Sequence, residues 1–415
     1  MTHHDAAKPP ALAAKVAGFY ERHPYPPRSD DLETYGARWN DARRRAESHL
    51  FWPHEPYRDD RTILVAGCGA SQAARYAMRW PRAQVVGIDV SSTSLQFTSR
   101  LKRKYALANL DLHKLPVECA ADLGRTFDHI VCTGVLHHLP DPVAGLVALR
   151  EAMAPGGALH LMVYAPYGRA GVYLVQDYCR RLGIGATGPE ITALLTSLKS
   201  LPPDHPLVPL LRNSPDFGSP AGVADALLNP QDRPFDVPQL FDLLQMGGLQ
   251  FGRWIRQAPY LPGCGAIAGS PHAAGLARLT VPDQYAAIEL FRGTMVRHSV
   301  AACRPDGGER PAISFEGEAW LGYVPIRLSD TLTVRDRLPP GVAAVLINQN
   351  HTYTDLYLPI SETEADMVAA IDGSRTIADI AGVLGADVAR GLFRRLWEYD
   401  QIVFDASRAG GGGSA

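Results

Sequence analysis

The hydrophobic rhythm of the chain changes several times along its length. Between residue 61 and about 164, short apolar runs alternate with stretches of helical periodicity, the runs falling at 63–66, 84–89, 109–112, 129–132 and 159–164. Runs this apolar, separated by helices, fit strands covered on both faces, as in the parallel sheet of an α/β domain. Pro155-Gly156-Gly157 predicts a turn that ends the helix before the last of them. Upstream, residues 11–57 read as a helix followed by an aromatic segment. Its stretch from Phe19 to Arg28 carries Pro24, Pro26 and Pro27 and cannot continue a helix. It predicts a stiff strap that packs on the body or covers a site.

Downstream, residues 165 to about 235 are helical in pattern but broken by Pro202, Pro203, Pro206, Pro209, Pro215 and Pro220, which predicts an inserted lid. A helix at 237–246, a strand at 249–255, a helix at about 283–293 and a strand at 296–303 follow. Arg304 to Gly308 reads as a linker. Beyond it come short strands around 322–328 and 343–347, helices at 361–372, 376–384 and 386–399, and a strand at 402–404. That order suggests a winged-helix-like α+β unit. The predicted division is therefore 1–60 (helix and strap), 61–305 (core with its lid), 306–408 (C-terminal domain) and a flexible Gly/Ser tail at 409–415.

Composition narrows the function. A chain of 415 residues exceeds the size of one core, and 46% hydrophobic residues can bury enough surface to fold. With 41 basic and 43 acidic residues there is no basic excess, so nucleic acid is not the expected partner. The Arg43-Arg44-Arg45 cluster is expected on a solvated helix face. No secretory signal and no apolar window long enough for a bilayer are visible. The six cysteines are scattered without a CxxC pair, which fits neither a disulfide frame nor a zinc site; no metal is expected, and a reducing cytoplasm is.

The candidate chemistry begins at Ile63-Leu64-Val65-Ala66-Gly67-Cys68-Gly69-Ala70-Ser71, the first strand-to-helix turn. Glycine there permits a sharp turn and close approach of a ligand. Asp89 closes the next strand about twenty residues later, where a carboxylate can accept both hydroxyls of a ribose. The pair points to a nucleoside cofactor, either a dinucleotide or S-adenosylmethionine. Ser71 occupies the third glycine position, so the six-residue dinucleotide fingerprint is not met. The fourth strand runs Phe127-Asp128-His129-Ile130-Val131-Cys132-Thr133-Gly134 and continues Val135-Leu136-His137-His138-Leu139-Pro140-Asp141-Pro142. Leu149-Arg150-Glu151-Ala152-Met153-Ala154-Pro155-Gly156-Gly157 precedes the fifth.

In spacing and order these segments resemble the class I S-adenosylmethionine-dependent methyltransferases over about residues 61–164. The resemblance implies a Rossmann-like seven-stranded sheet with an antiparallel last strand, and S-adenosyl-L-methionine as cofactor. It implies that Ala66, Gly67, Cys68 and Gly69 line the methionine part of the cofactor. Asp89, with Val90 beside it, matches the ribose-binding position, and Thr133 and Gly134 the fourth-strand end facing the cofactor. Two departures stand out. Val65 takes a place where the family often has an acid, and Lys114-Leu115-Pro116 follows the third strand where an adenine-binding acid is usual, with Glu118 as a substitute.

Among the remaining candidates, His138 is an acceptor-side base, or with His137 merely orients the helix after the fourth strand. Tyr20 and Tyr25 resemble aromatic N-terminal segments that close over the active site of some of these enzymes, or else pack the N-terminal helix onto the sheet. Tyr164, Tyr167 and Arg169 border the expected acceptor cleft; Arg169 pairs an acceptor carboxylate or is a surface residue. The C-terminal unit loosely resembles peptide-holding winged-helix domains, with a structural or dimerising role as the alternative. The reading is methyl transfer to a small-molecule or peptide acceptor, O- or N-methylation left open, as is the oligomeric state. The rivals are a non-catalytic module that holds S-adenosylmethionine or a peptide, and an NAD-linked oxidoreductase, which Ser71 disfavours.

Overall fold

The computed structural model describes residues 9–25, 31–307, 311–382 and 385–408. The first eight residues, Pro26 to Arg28 of the strap, Gly308 of the linker, the end of the helix expected at 376–384 and the 409–415 tail lie outside these.

Seven strands form one sheet: β1 (Thr62–Ala66), β2 (Gln84–Asp89), β3 (Leu110–Lys114), β4 (Phe127–Thr133), β5 (Met153–Tyr164), β6 (Gln250–Trp254) and β7 (Arg297–Cys303). Their order is β3-β2-β1-β4-β5-β7-β6. The pairs β1–β2, β1–β4, β2–β3 and β4–β5 are parallel, and β7 runs antiparallel to β5. This is a Rossmann-like α/β sheet. Alternation is lost in β1 because Ile63, Leu64, Val65 and Ala66 are all buried, as strands covered on both faces require. The reversal at β1 places the strand ends of β1, β2 and β4 side by side, the switch point at which such sheets bind ligands.

Pro155-Gly156-Gly157 does not end the preceding helix. That helix, Pro142–Glu151, starts at an Asp141 cap that accepts from the amides of Val143 and Ala144, and it closes at Ala152. The Pro-Gly-Gly lies instead inside β5, where the register against β4 jumps from Phe127↔Met153 to His129↔Ala158. Gly156 has φ +73°, so the extra residues are taken up as an irregularity of the strand.

The chain forms two compact units, neither of them contiguous. The first comprises Met1–Gly36, Asp60–Phe251 and Arg292–Gly307; the second comprises Ala37–Asp59, Gly252–Phe291 and Gly308–Ala415. In the first unit, helices Ala170–Leu182, Gly188–Leu198, Val208–Asn213 and Pro220–Leu228 follow β5. They share a core of Val172, Val175, Cys179, Leu194, Leu198, Leu207, Val223 and Leu227. The N-terminal helix Pro9–Arg22 sets Phe19 against Ile191 and Ala224 of this helical segment.

The second unit holds β8 (Val324–Arg327), β9 (Thr331–Val334), β10 (Ala344–Asn348), β11 (Tyr357–Ile360) and β12 (Ile402–Asp405). β9-β10-β11 is an antiparallel sheet, and β8 pairs antiparallel with β12. Helices Glu362–Ala369, Ile377–Ala381 and Ala386–Glu398 pack on a core that includes Trp320, Phe393 and Phe404. Helix Asp41–Phe51 carries the arginine cluster, and its setting corrects the expectation of a solvated face. Arg43 forks onto both oxygens of Asp330 at 2.9 Å, and Arg45 reaches Asp405 at 2.8 Å. Partly buried carboxylates of its own unit hold these two guanidiniums. Among the described residues, no helix is long and apolar enough to cross a membrane.

Candidate active site

The turn after β1 and the end of β2 meet. The Gly69 amide donates to Asp89 Oδ2 at 2.7 Å, and the Ser91 amide donates to Asp89 Oδ1 at 2.8 Å. The turn needs its glycines, since Gly67 and Gly69 have φ of +68° and +53°. A Cβ at Gly67 would stand 2.4 Å from Val135 Cγ2, so the turn lies directly against the segment leaving β4. Cys68 is fully buried and its amide bonds to the Ile88 carbonyl at 2.9 Å, fixing the turn to β2. Ala66 is buried at the end of β1. Burial raises the Asp89 pKa, while the amides of Ser91, Gly69 and Val90 pull the other way.

At the end of β4, Thr133 Oγ1 accepts from Gln72 Nε2 at 2.7 Å, tying that strand to the helix Gln72–Arg79 after the glycine turn. Gly134 has φ +79°. Ser71, at the cap position of that helix, is fully buried with no partner for its hydroxyl among the described residues. An open turn, a carboxylate at the neighbouring strand end and an orphaned hydroxyl make a cradle that fits a polar nucleoside ligand. Glu21 adds an unforeseen contact: its carboxylate accepts from Ser91 Oγ at 2.9 Å and from the Thr93 amide at 3.2 Å.

A second cluster begins three residues past Gly134. In the short helix Leu136–His138, His138 Nδ1 lies 2.6 Å from the Gln231 carbonyl. A carbonyl only accepts, so Nδ1 carries a hydrogen, and in the neutral tautomer the lone pair falls on Nε2. His137 has the opposite arrangement, because its Nδ1 accepts from the Tyr164 amide at 3.3 Å. Burial, then His138 and Arg169, push its pKa well down, so it is neutral with its hydrogen on Nε2. One ligand atom each from His137, His138 and Asp232 lies within 4.8 Å of the others. The Nδ1 lone pair of His137 is already engaged by the Tyr164 amide, which leaves that ring less free to serve as a metal ligand.

Around these imidazoles the structure gathers tyrosines and acids. The Tyr20 hydroxyl donates to Asp225 Oδ1 at 2.8 Å and accepts from Asn229 Nδ2 at 3.0 Å. The Tyr25 hydroxyl donates to Asp216 Oδ1 at 2.6 Å. Burial and then the Asp225 carboxylate raise the Tyr20 pKa well above the usual value, so it stays a donor. Tyr20 meets His138 edge-on at 5.9 Å between ring centroids, and Tyr164 stacks on His137 at 4.0 Å. Arg169 is buried: its guanidinium carbon sits 3.6 Å from the Tyr164 ring centroid and its Nη2 is 3.4 Å from Asp232 Oδ2. It is not a surface residue, and its charge is already matched.

Tyr20, Tyr25, His138, Tyr164 and Arg169 therefore come together, whereas Tyr167 stands 39% exposed in the turn after β5. Tyr20 belongs to the last turn of the N-terminal helix and packs on the helical segment rather than on the sheet. Asp216, Asp225, Asn229 and Asp232 were not anticipated from sequence. They fall in the proline-broken stretch, where no periodicity marks which side chains turn inward.

Residues 64–159 match a family model described as a methyltransferase domain. An uncharacterized protein of Synechococcus sp. is 34% identical over 178 residues, which is 41% of this chain and 42% of that one. A ubiquinone biosynthesis O-methyltransferase of Idiomarina loihiensis is 34% identical over 98 residues, 23% of this chain and 40% of its own length. The chain thus spans about two fifths of the length of these curated relatives. PKMT2 from Rickettsia typhi, solved in complex with AdoHcy, has the same fold, with a TM-score of 0.61 at 14% identity over 90% of this chain and 74% of that one. With the sheet order and the glycine turn, these matches make the region a class I S-adenosylmethionine-dependent methyltransferase domain.

Proposed function

We propose that this chain transfers a methyl group from S-adenosylmethionine to a small-molecule or peptide acceptor. The observation that carries the reading is the 2.7 Å bond from the Gly69 amide to Asp89, which puts the turn and the carboxylate at one place. On this reading Ala66, Gly67, Cys68 and Gly69 hold the methionine part, and Asp89 with Val90 holds the ribose. Thr133 and Gly134 face the cofactor from β4. When bound, the sulfonium supplies an electrophilic methyl with a good leaving group. The protein's task is then mainly to align the nucleophile and exclude water. His138 offers its Nε2 lone pair as an acceptor-side base, oriented by the Gln231 carbonyl. Tyr20, Tyr25, Tyr164 and Arg169 form the acceptor wall, with Tyr167 at its outer margin.

The segment after β5, its helices and the loop that follows them, serves as the lid in this account, since it supplies Asp216, Asp225 and Asp232. The second unit reads as winged-helix-like, with three helices and the β8–β12 pair, and a peptide added along a strand edge is its proposed ligand. The six free cysteines suit a reducing cytoplasm. Calorimetric titration with S-adenosylmethionine, S-adenosylhomocysteine and NAD tests the core of the proposal. Binding of the first two but not NAD is the expected result. Binding of NAD alone refutes it, and cofactor binding with no S-adenosylhomocysteine formed across a broad acceptor panel favours a regulatory module.

A further inference from the structure

Three carboxylates, Asp216, Asp225 and Asp232, converge on the tyrosines and imidazoles of the second cluster. Arg169 is the one guanidinium among the described residues bonded to any of them, and it is held by Asp232 and the Tyr164 ring. His137 is neutral and, although burial raises the Asp225 pKa, Arg169 is the one guanidinium set against three carboxyl groups here. Tyrosine and asparagine donors occupy Asp225 Oδ1, but no described donor reaches its other oxygen. Asp232 Oδ1 is likewise without a partner, although its side chain is only 2% exposed. A buried carboxylate oxygen left unmatched, as Asp232 Oδ1 is, is costly, and a cation with several donors relieves that cost.

We propose that this cluster receives the acceptor as an alkylammonium ion, so that the methylated atom is an amine nitrogen. This rests on the methyl-transfer reading and narrows its acceptor. An ammonium group brings donors for the unmatched Asp232 Oδ1, with the His138 ring within 4.8 Å of that carboxylate and the Asp225 carboxylate adding negative charge nearby. A carboxylate or phenolate acceptor would instead face the excess of acid, with Arg169 already engaged. The ammonium passes one proton to His138 Nε2, which later releases it to water. The freed nitrogen pair forms the N–C bond as the C–S bond breaks, its electrons staying on sulfur, and the positive charge ends on the methylated nitrogen.

Sinefungin tests this directly, because it carries a primary ammonium where the cofactor carries its methyl sulfonium. An acceptor nitrogen in line for attack lies about 3–3.5 Å from that methyl, so residues that recognise it must also sense the sinefungin amine. Full-length protein and the variants Asp225→Asn and Asp232→Asn are titrated with sinefungin, S-adenosylmethionine and S-adenosylhomocysteine. Either variant that melts like the parent should bind sinefungin about tenfold or more weakly, with the other two ligands within about twofold. Equal weakening of S-adenosylmethionine would overturn the proposal, because the acids would then serve the sulfonium. So would unchanged sinefungin affinity in both variants while S-adenosylhomocysteine still binds. Failure of the parent to bind S-adenosylhomocysteine removes the methyl-transfer reading itself.

Discussion

Replacing Asp89 separates a functional carboxylate from a purely structural one. Each of its oxygens takes one amide hydrogen, from Gly69 and from Ser91. A carboxylate has about four lone-pair positions, so with the Val90 amide also drawing on it roughly one or two remain for ribose hydroxyls. Hydrogen bonds to a charged group are worth about 1.5–3 kcal/mol each. Part of that is offset in Asp89→Ala, because the variant no longer buries a charge. A net loss of about 1–3 kcal/mol, or roughly 5–150-fold in Kd, is expected for S-adenosylhomocysteine by calorimetry. Asp89→Asn should lose less, since its carbonyl still accepts. A pH series adds a second signature. Burial raises the Asp89 pKa, and protonation removes an acceptor site, so parent affinity should fall as pH drops through that raised value. In Asp89→Asn this dependence should be absent. Parent-like affinity in a folded Asp89→Ala would refute the assignment.

Other substitutions probe the same architecture. Gly67→Ala meets both a +68° backbone and Val135 at 2.4 Å, so it should abolish cofactor binding and lower the melting temperature. Tyr20→Phe removes the donor to Asp225 and the acceptor of Asn229, and should cost about 1–3 kcal/mol in chemical denaturation. In the second unit, burial pushes the Asp400 carboxyl up to about 6, against Arg253 and the Ala258 amide, which pull it down. Because its folded pKa is raised, its stabilising term is full below about pH 4 and is lost as pH rises through 6. Relative to Asp400→Asn, the parent should therefore lose on the order of 2–3 kcal/mol of unfolding free energy between pH 4 and 7. Equal pH slopes for the two proteins would contradict that.

The legible parts of the chain were those where a local rule matches the final environment. β1, β2 and β4 are buried on both faces, so their unbroken apolar runs announce them, and the glycine turn and Asp89 follow from strand endings. The strands Thr331–Val334 and Tyr357–Ile360 were missed because they are four residues long and partly exposed, with Leu332 and Tyr357 facing solvent. Pro155-Gly156-Gly157 read as a stop because its residues suit a turn, yet pairing across to β4 and β7 carries the strand past them. The acid cluster was invisible for a different reason. Asp216, Asp225 and Asp232 sit at irregular intervals among prolines, and only tertiary packing brings them to Tyr25, Tyr20 and the imidazoles respectively. Arg43 and Arg45 likewise look solvated until partners almost 290 and 360 residues away are brought to them.

Because the second unit is stitched from three separate lengths of chain, cutting at a seemingly natural boundary near residue 305 would leave its earlier two lengths stranded. Arg45 would be parted from Asp405 and Arg253 from Asp400, and Ala46 would lose Ile326 and Val403 while Ala258 and Cys264 would lose Leu356. A ribosome making this protein faces the same difficulty in time. Its 37–59 segment must wait for the last hundred residues before it can settle, so clipped or stalled chains should be prone to clump.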